Sequence, residues 1–385
     1  MLQKNKTREG TVFDVSYYKA FKKYLLFLGQ YPTQSRWSRE FNVIVVLCSI
    51  ISLLIPAISQ FCVSIFEKNL DAAMESVPVV VTLAVCMIKV LNHKINKDKF
   101  DKLFDLIKEE WDLLNHKYQI HILHTTTKQG NMLATAYRTT LLSFMVIFLL
   151  LPLFPLFLDV ILPLNETRQR HQMFRLKYFV NENQYFFSIY LHSVWCSFVV
   201  VIIVVSIDSL YMIIVHHACG LFAVCGYQIE KATKRIDVNV NGISIESFRR
   251  CAIMHNKALQ FYQIIDDSSR LGYFFQVLFN MIGITVTAVQ TVMYFHRPEE
   301  ALRIAVFLVA QQFHLLVITL PGQVLVDQSL QFANDIYDST WYQMPTNIQK
   351  VLYTMQIRST RACKLTAGGL YEMNIENFGV NWLYL

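Results

Sequence analysis

Charge is what this sequence has least of. Asp, Glu, Lys and Arg make up 16% of its 385 residues, against about 25% in an average soluble domain. With 54% hydrophobic residues and a mean hydropathy of +0.34, that shortage excludes an ordinary soluble enzyme domain and points to lipid as the solvent. Chemistry-bearing motifs are missing too. The eight cysteines contain no Cys-x-x-Cys pair, so neither a zinc site nor a disulfide scaffold is expected. There is no Gly-x-Ser-x-Gly, no phosphate-cradling glycine loop and no pair of intramembrane carboxylates. No catalytic residue, metal or cofactor is therefore expected. His116, His121 and His124 lie close together without a nearby carboxylate, and read as solvent-facing or helix-capping. The net charge of +7 is spread over several loops rather than set on one aromatic-laced basic helix, which argues against nucleic acid as a partner. The first forty residues are polar, and the first apolar run is too long for a leader's core, so no cleavable leader is expected.

What the chain does have is long apolar runs. Six can cross a bilayer, which takes about 20 residues: Phe41–Phe66, Ala72–Leu91, Leu141–Leu162, Tyr185–Ile207, Leu271–Phe295 and Ile304–Val326. The charges inside them, Glu75, Lys89 and Asp159, fall near the ends, where a side chain is expected to reach the interface. With the N-terminus inside, 27 Lys and Arg fall on the cytoplasmic side and 7 outside, which fixes the orientation. Residues 1–40 then form a cytoplasmic N-terminal segment, and 41–326 six transmembrane helices with long cytoplasmic helical loops. Residues 327–372 form cytoplasmic anchor helices, and 373–385 a short seventh helix. The fold class expected is an all-α membrane protein, a seven-transmembrane helical bundle with its last helix shortened. Of two Asn-x-Thr sequons, at Asn5 and Asn165, only Asn165 faces outward as a glycosylation acceptor.

Polar side chains interrupt these spans in stripes. Ser188, His192 and Trp195 share one face of the fourth span, to line a cavity or to bond neighbouring helices. Gln276, Asn280, Gly283, Thr287, Gln290 and Tyr294 mark the fifth, and Gln311, Gln312 and His314 the sixth. Pro152 and Pro155 kink the third, and the polar stretch 163–184 either lids the outer mouth or simply connects. Depth and helical face select Met74, Met145, Phe148, Tyr190, His192, Trp195, Thr287, Tyr294 and Phe307 as lining an outer-half cavity.

The stretch after the sixth span is the most distinctive. Ser329, Ala333, Tyr337 and Trp341 recur every four residues, which sets them in one helical stripe. Arg358, Arg361 and Lys364 follow, then Asn374 to Phe378. This third of the chain resembles that of insect odorant receptors. So do Gly29 with Pro32 before the first span, the run Asp208–His217–Leu221, and Arg249-Arg250-Cys251 with His255 and Phe261. The resemblance implies an odorant-tuning subunit of a ligand-gated non-selective cation channel. Such a subunit binds a small hydrophobic volatile, and forms a heterotetramer with a co-receptor in the plasma membrane of olfactory sensory neurons. It further implies that Ser329, Ala333, Tyr337 and Trp341 anchor subunits and that Phe378 lies on the pore helix. The co-receptor carries a long second cytoplasmic insertion for which residues 208–270 leave no room. Only thirteen residues follow Glu372, about 20 Å of helix against a roughly 30 Å hydrocarbon core. The alternatives are a G-protein-coupled seven-helix receptor, which needs the opposite orientation, and a gustatory receptor of the same superfamily.

Overall fold

The computed structural model describes residues 16–114, 116–161, 172–174, 176–181, 184–234 and 245–383. Its elements are α1 (Ser16–Phe27), α2 (Arg36–Phe66), α3 (Leu70–Ile95), α4 (Lys97–Leu113), α5 (Lys117–Leu150), α6 (Phe154–Ile161), α7 (Phe186–Lys234) and α8 (Ile245–Met293). These are followed by α9 (Pro298–Tyr337), α10 (Thr346–Ser359), a two-residue hairpin β1 (Thr366–Ala367) with β2 (Tyr371–Glu372), and α11 (Ile375–Leu383). Six helical stretches are long and apolar enough to cross a membrane. The sequon at Asn165 lies outside the described residues.

Among the described residues the six stretches cover the expected spans except Tyr185, Tyr294 and Phe295 at their ends, and most run well past them. α7 and α8 have 49 residues each, about 74 Å at 1.5 Å per residue, more than twice the hydrocarbon thickness. The overhang lies at one end of the bundle, with α1, α4 and α10; this end is called proximal and the other distal. Pro321 does not end the sixth helix: α9 continues through it to Tyr337. The proline pair at 152 and 155 does break the third span, with a 3₁₀ turn at Leu151–Leu153 between α5 and α6.

Local chemistry sets the corners. α1 ends in a Schellman turn: the N–H of Gln30 reaches Leu25 O (2.8 Å) and that of Gly29 reaches Leu26 O (3.2 Å). Gly29 has φ +68°, and a Cβ there would stand 2.4 Å from the Arg39 carbonyl oxygen, so glycine is what lets α1 meet α2. At the other end of α2, Lys68 turns left-handed (φ 56°) and Asn69 caps α3 by accepting the N–H of Ala72 at 3.2 Å.

α7 is the axis. Some 72% of its membrane window is buried. Its proximal half sits in the main core with Tyr18 and Phe21 of α1, Leu103 of α4, Phe261 of α8 and Phe332 of α9. Its distal half packs with Val46 and Ile50 of α2 and Leu83 of α3. α1 is thus part of the core rather than a helix lying only at an interface, and burial holds the Tyr18 phenol far above its usual range. The outward faces of α2 and α5–α6 show Phe41, Ile51, Ile55, Phe61, Val146, Ile147, Phe157 and Val160 to the surroundings, an apolar belt suited to lipid. The chain is a multi-pass membrane helical bundle.

Candidate functional site

Between α3, α5, α7 and α9 the distal half of the bundle holds a cavity of about 140 Å³. A second lobe of about 60 Å³ adjoins it toward α8. Val79, Phe148, Phe174 and Phe307 wall both lobes, and the Phe148 ring lies 5.6 Å from that of Phe174 and 6.1 Å from that of Phe307. The larger lobe is almost wholly apolar: Leu53, Leu83, Leu141, Phe144, Met145, Val200 and Val201 supply most of its wall. Such a space rewards apolar surface and shape, at about 25 cal/mol per Å² removed from water.

Polarity is confined to the smaller lobe. Glu75 accepts the Tyr294 hydroxyl at 2.8 Å. Thr287 donates to Gly283 O at 2.6 Å and lies 3.3 Å from Gln311 Oε1. Gln290, 3% exposed, lines the same lobe with its Nε2 unpartnered by protein. A buried N–H without an acceptor is costly, about 1–3 kcal/mol, so this amide is set to meet an oxygen entering the lobe.

Of the nine expected lining residues, Met145, Phe148, Thr287 and Phe307 are in the walls. Tyr294 stands behind the wall, bonded to Glu75. His192 and Trp195 are at the α2–α7 seam instead: Trp195 Nε1 donates to Ser49 (3.0 Å), and His192 bridges Ser52 (3.0 Å) and Tyr178 (3.1 Å). The Tyr190 hydroxyl donates to Leu149 O at 2.8 Å. Met74 is half-buried near the start of α3 and touches neither lobe. Sequence reasoning missed Gln290, although it sits in the same polar stripe as Thr287, and Met173 with Phe174, whose loop has no periodicity to betray it. That loop serves as wall, held by Arg303 hydrogen bonds to Gln172 O and Met173 O at 3.3 and 3.4 Å.

One of the charges expected near a span end is corrected as well. Lys89 does not reach an interface: it is 5% exposed and ion-paired with Asp208, itself fully buried. Beyond the membrane overhang the four-residue stripe divides. Ser329 and Ala333 are buried, with Ser329 Oγ accepting the N–H of Cys363 at 3.0 Å. Tyr337 is 68% exposed and Trp341 37%, and with Tyr342 and Tyr353 they form an open aromatic face. Phe378 on α11 is partly buried against the main core. Burial raises the Cys363 thiol, with Arg358 and Ser329 opposing more weakly. Cys363 should therefore stay unlabelled by maleimide at pH 7.5 in the folded protein and react only after denaturation; rapid native labelling would show that α10 does not cover it. Among the described residues no group of three His, Cys, Asp or Glu is placed to hold a metal.

A helical bundle with six membrane-long spans, long overhanging helices at one end and an apolar cavity at the other has the architecture of a multi-span membrane protein. Comparison with known proteins agrees. The olfactory receptor OR5 from Machilis hrabei, in its structure in complex with eugenol, superposes with a TM-score of 0.76 at 14% identity, over 97% of this chain and 98% of that one. A second structure of that receptor gives 0.73, at 14% identity and 96% of each chain. The family model for the 7tm Odorant receptor matches residues 69–380, and the chain belongs to that family. Drosophila melanogaster odorant receptor 9a is 23% identical over 190 residues, which is 49% of this chain and 47% of that protein. Odorant receptor 63a of the same fly is 21% identical over 173 residues, 44% of this chain and 41% of its own. The matched regions thus span about half the length of these curated relatives.

Proposed function

We propose that this chain is an odorant-tuning subunit of a ligand-gated non-selective cation channel, and that the two-lobed cavity takes one small hydrophobic volatile. The apolar wall with a single unpaired amide carries the reading: it favours a compact apolar body bearing one oxygen. A ligand of about 12 heavy atoms at roughly −0.5 kcal/mol per atom would bind with a dissociation constant of tens of micromolar. Gating needs only that the open state hold the ligand more tightly than the closed one.

The remaining parts of the proposal follow the family resemblance. The proximal end faces the cytoplasm, supported by the excess of Lys and Arg there. Residues 327–372 anchor neighbouring subunits, with the exposed Tyr337 and Trp341 as the contact. Phe378 and α11 contribute to the pore wall, and the partner is the family's co-receptor in a heterotetramer at the olfactory neuron surface.

The test is odorant-evoked current in cells expressing both chains. Gln290→Leu should weaken responses to alcohols and ketones about fivefold, the worth of one neutral hydrogen bond, and leave hydrocarbon odorants unchanged. Equal loss for both classes would remove Gln290 from the site. Current from this chain alone, undiminished without the co-receptor, would overturn the partner.

A further inference from the structure

Immediately proximal to the cavity, five helices meet in one buried polar cluster. Asp208 of α7 takes the Lys89 ammonium of α3 on one oxygen and the Tyr137 hydroxyl of α5 on the other, at 2.9 Å. Tyr137 also lies 2.6 Å from His314 Nδ1 of α9, and His314 Nε2 lies 3.0 Å from Gln276 Nε2 of α8. One arrangement of protons satisfies the whole chain: Gln276 donates to His314, His314 Nδ1–H to Tyr137, and Tyr137 to the Asp208 carboxylate. All five side chains are buried.

The cluster is the floor of the cavity. Leu141 of the cavity wall is four residues distal of Tyr137, and Ala310 four distal of His314. Val201 is seven distal of Asp208 and Thr82 seven distal of Lys89. Offsets of four and seven return to the same helical face, one and two turns away, or about 6 and 10 Å. Beneath the floor lies a further small pocket of about 40 Å³, walled in part by Lys89 and Gln276. In that pocket the Tyr211 hydroxyl and His93 Nε2 are buried without partners. Lys89 therefore borders a pocket that also holds unpartnered polar groups, on the side away from the ligand.

We propose that this five-helix cluster couples occupancy of the cavity to the proximal half of the bundle. Lys89, Tyr137, Asp208, Gln276 and His314 act as positioning residues that touch no ligand. The proposal rests on the odorant reading above. A ligand that spreads or draws together the distal helices must stretch or tighten bonds in the floor, because each of those helices contributes one group to it. Charge in hydrocarbon is retained where it does such work, and packing alone could be met by apolar side chains of the same volume.

Tyr137→Phe removes one oxygen and both of its bonds while keeping the ring. In cells with the co-receptor, it should shift the half-maximal concentration on the order of tenfold for every active odorant. The rank order of odorants should be unchanged, and the odorant-free current should change. Lys89→Met with Asp208→Leu, a neutral pair, should reach the surface and show the same parallel shift. Simple destabilisation would lower surface density and maximal current without moving the half-maximal concentration. Wild-type half-maximal concentrations and resting current in both variants would overturn the coupling alone. If wild-type protein showed no thermal shift with any odorant of the panel, the ligand reading would fall and the coupling with it.

Discussion

Replacing Asp208 by Ala is expected to remove nearly all of this protein from the cell surface. The substitution strands the Lys89 ammonium, 5% exposed, in a low-dielectric interior. Breaking one side of such a pair costs about 3–5 kcal/mol, because the remaining charge loses its partner and recovers no water. It also leaves the Tyr137 hydroxyl without its acceptor, for about 1 kcal/mol more. Against a total stability of about 5–15 kcal/mol this is a large fraction. Surface biotinylation reads it directly. Adding Lys89→Met to the variant should restore much of the level, since the uncompensated charge is then gone. Normal surface density in Asp208→Ala alone would mean that water reaches Lys89 and that the cluster is not dry.

The second large effect is expected at Gly322. A Cβ there would stand 1.8 Å from the Met373 carbonyl oxygen and 3.0 Å from its carbon, and backbone cannot swing aside as a side-chain tip can. Gly322→Val should therefore displace the hairpin from α9. Met373, 1% exposed, would lose its burial, and its N–H would lose Leu365 O at 2.9 Å. Loss of a buried Met side chain alone is worth about 2–5 kcal/mol. The Lys364–Glu372 ion pair at 2.8 Å adds little at its exposure and will not hold the segment. Limited trypsin digestion should then cut after Lys364 at least tenfold faster than in wild type, a rise matching about 1.4 kcal/mol of local opening. An unchanged rate would show that the hairpin is held from elsewhere.

The six spans were legible because about 20 apolar residues in a row have few other uses. Helix length was legible only in part. The apolar pattern runs on past Ile207 to Leu221, which already makes the fourth helix overhang the membrane, as α7 does. From Ile245 to Arg270 the chain mixes polar and apolar residues as cytoplasmic loops do, and only the structure joins that stretch to the fifth span in α8. The cavity was half legible. Phe148, Phe307 and Thr287 are on inward faces at the right depth, and periodicity reports both. Polar residues such as Trp195 and His192 announce that something must satisfy them, not what. Their partners Ser49 and Ser52 sit inside an apolar run of α2, where a serine can bond its own helix and carries no outward signal. The Lys89–Asp208 pair was hidden for another reason. Each residue lies near the end of an apolar run, which sequence reads as proximity to water; the overhanging helices put protein there instead.

α8 runs unbroken from Ile245 to Met293, and its attachments fall at three heights. Gln290 faces the cavity, Gln276 enters the buried cluster, and Asp266 holds the N–H and hydroxyl of Thr366 at 2.9 and 3.1 Å. Four residues past Asp266, the Arg270 carbonyl takes the N–H of Gly368 at 2.9 Å, so the hairpin is riveted to this helix twice. Under the coupling proposed above, α8 acts as a lever with its fulcrum at Gln276 and arms of about 21 Å toward the cavity and 15 Å toward the hairpin. A tilt of about 5° moves the two tips by roughly 2 and 1 Å in opposite directions, the scale of a helix shift in known switching proteins. A push on the ligand side arrives at the root of α11 as a pull.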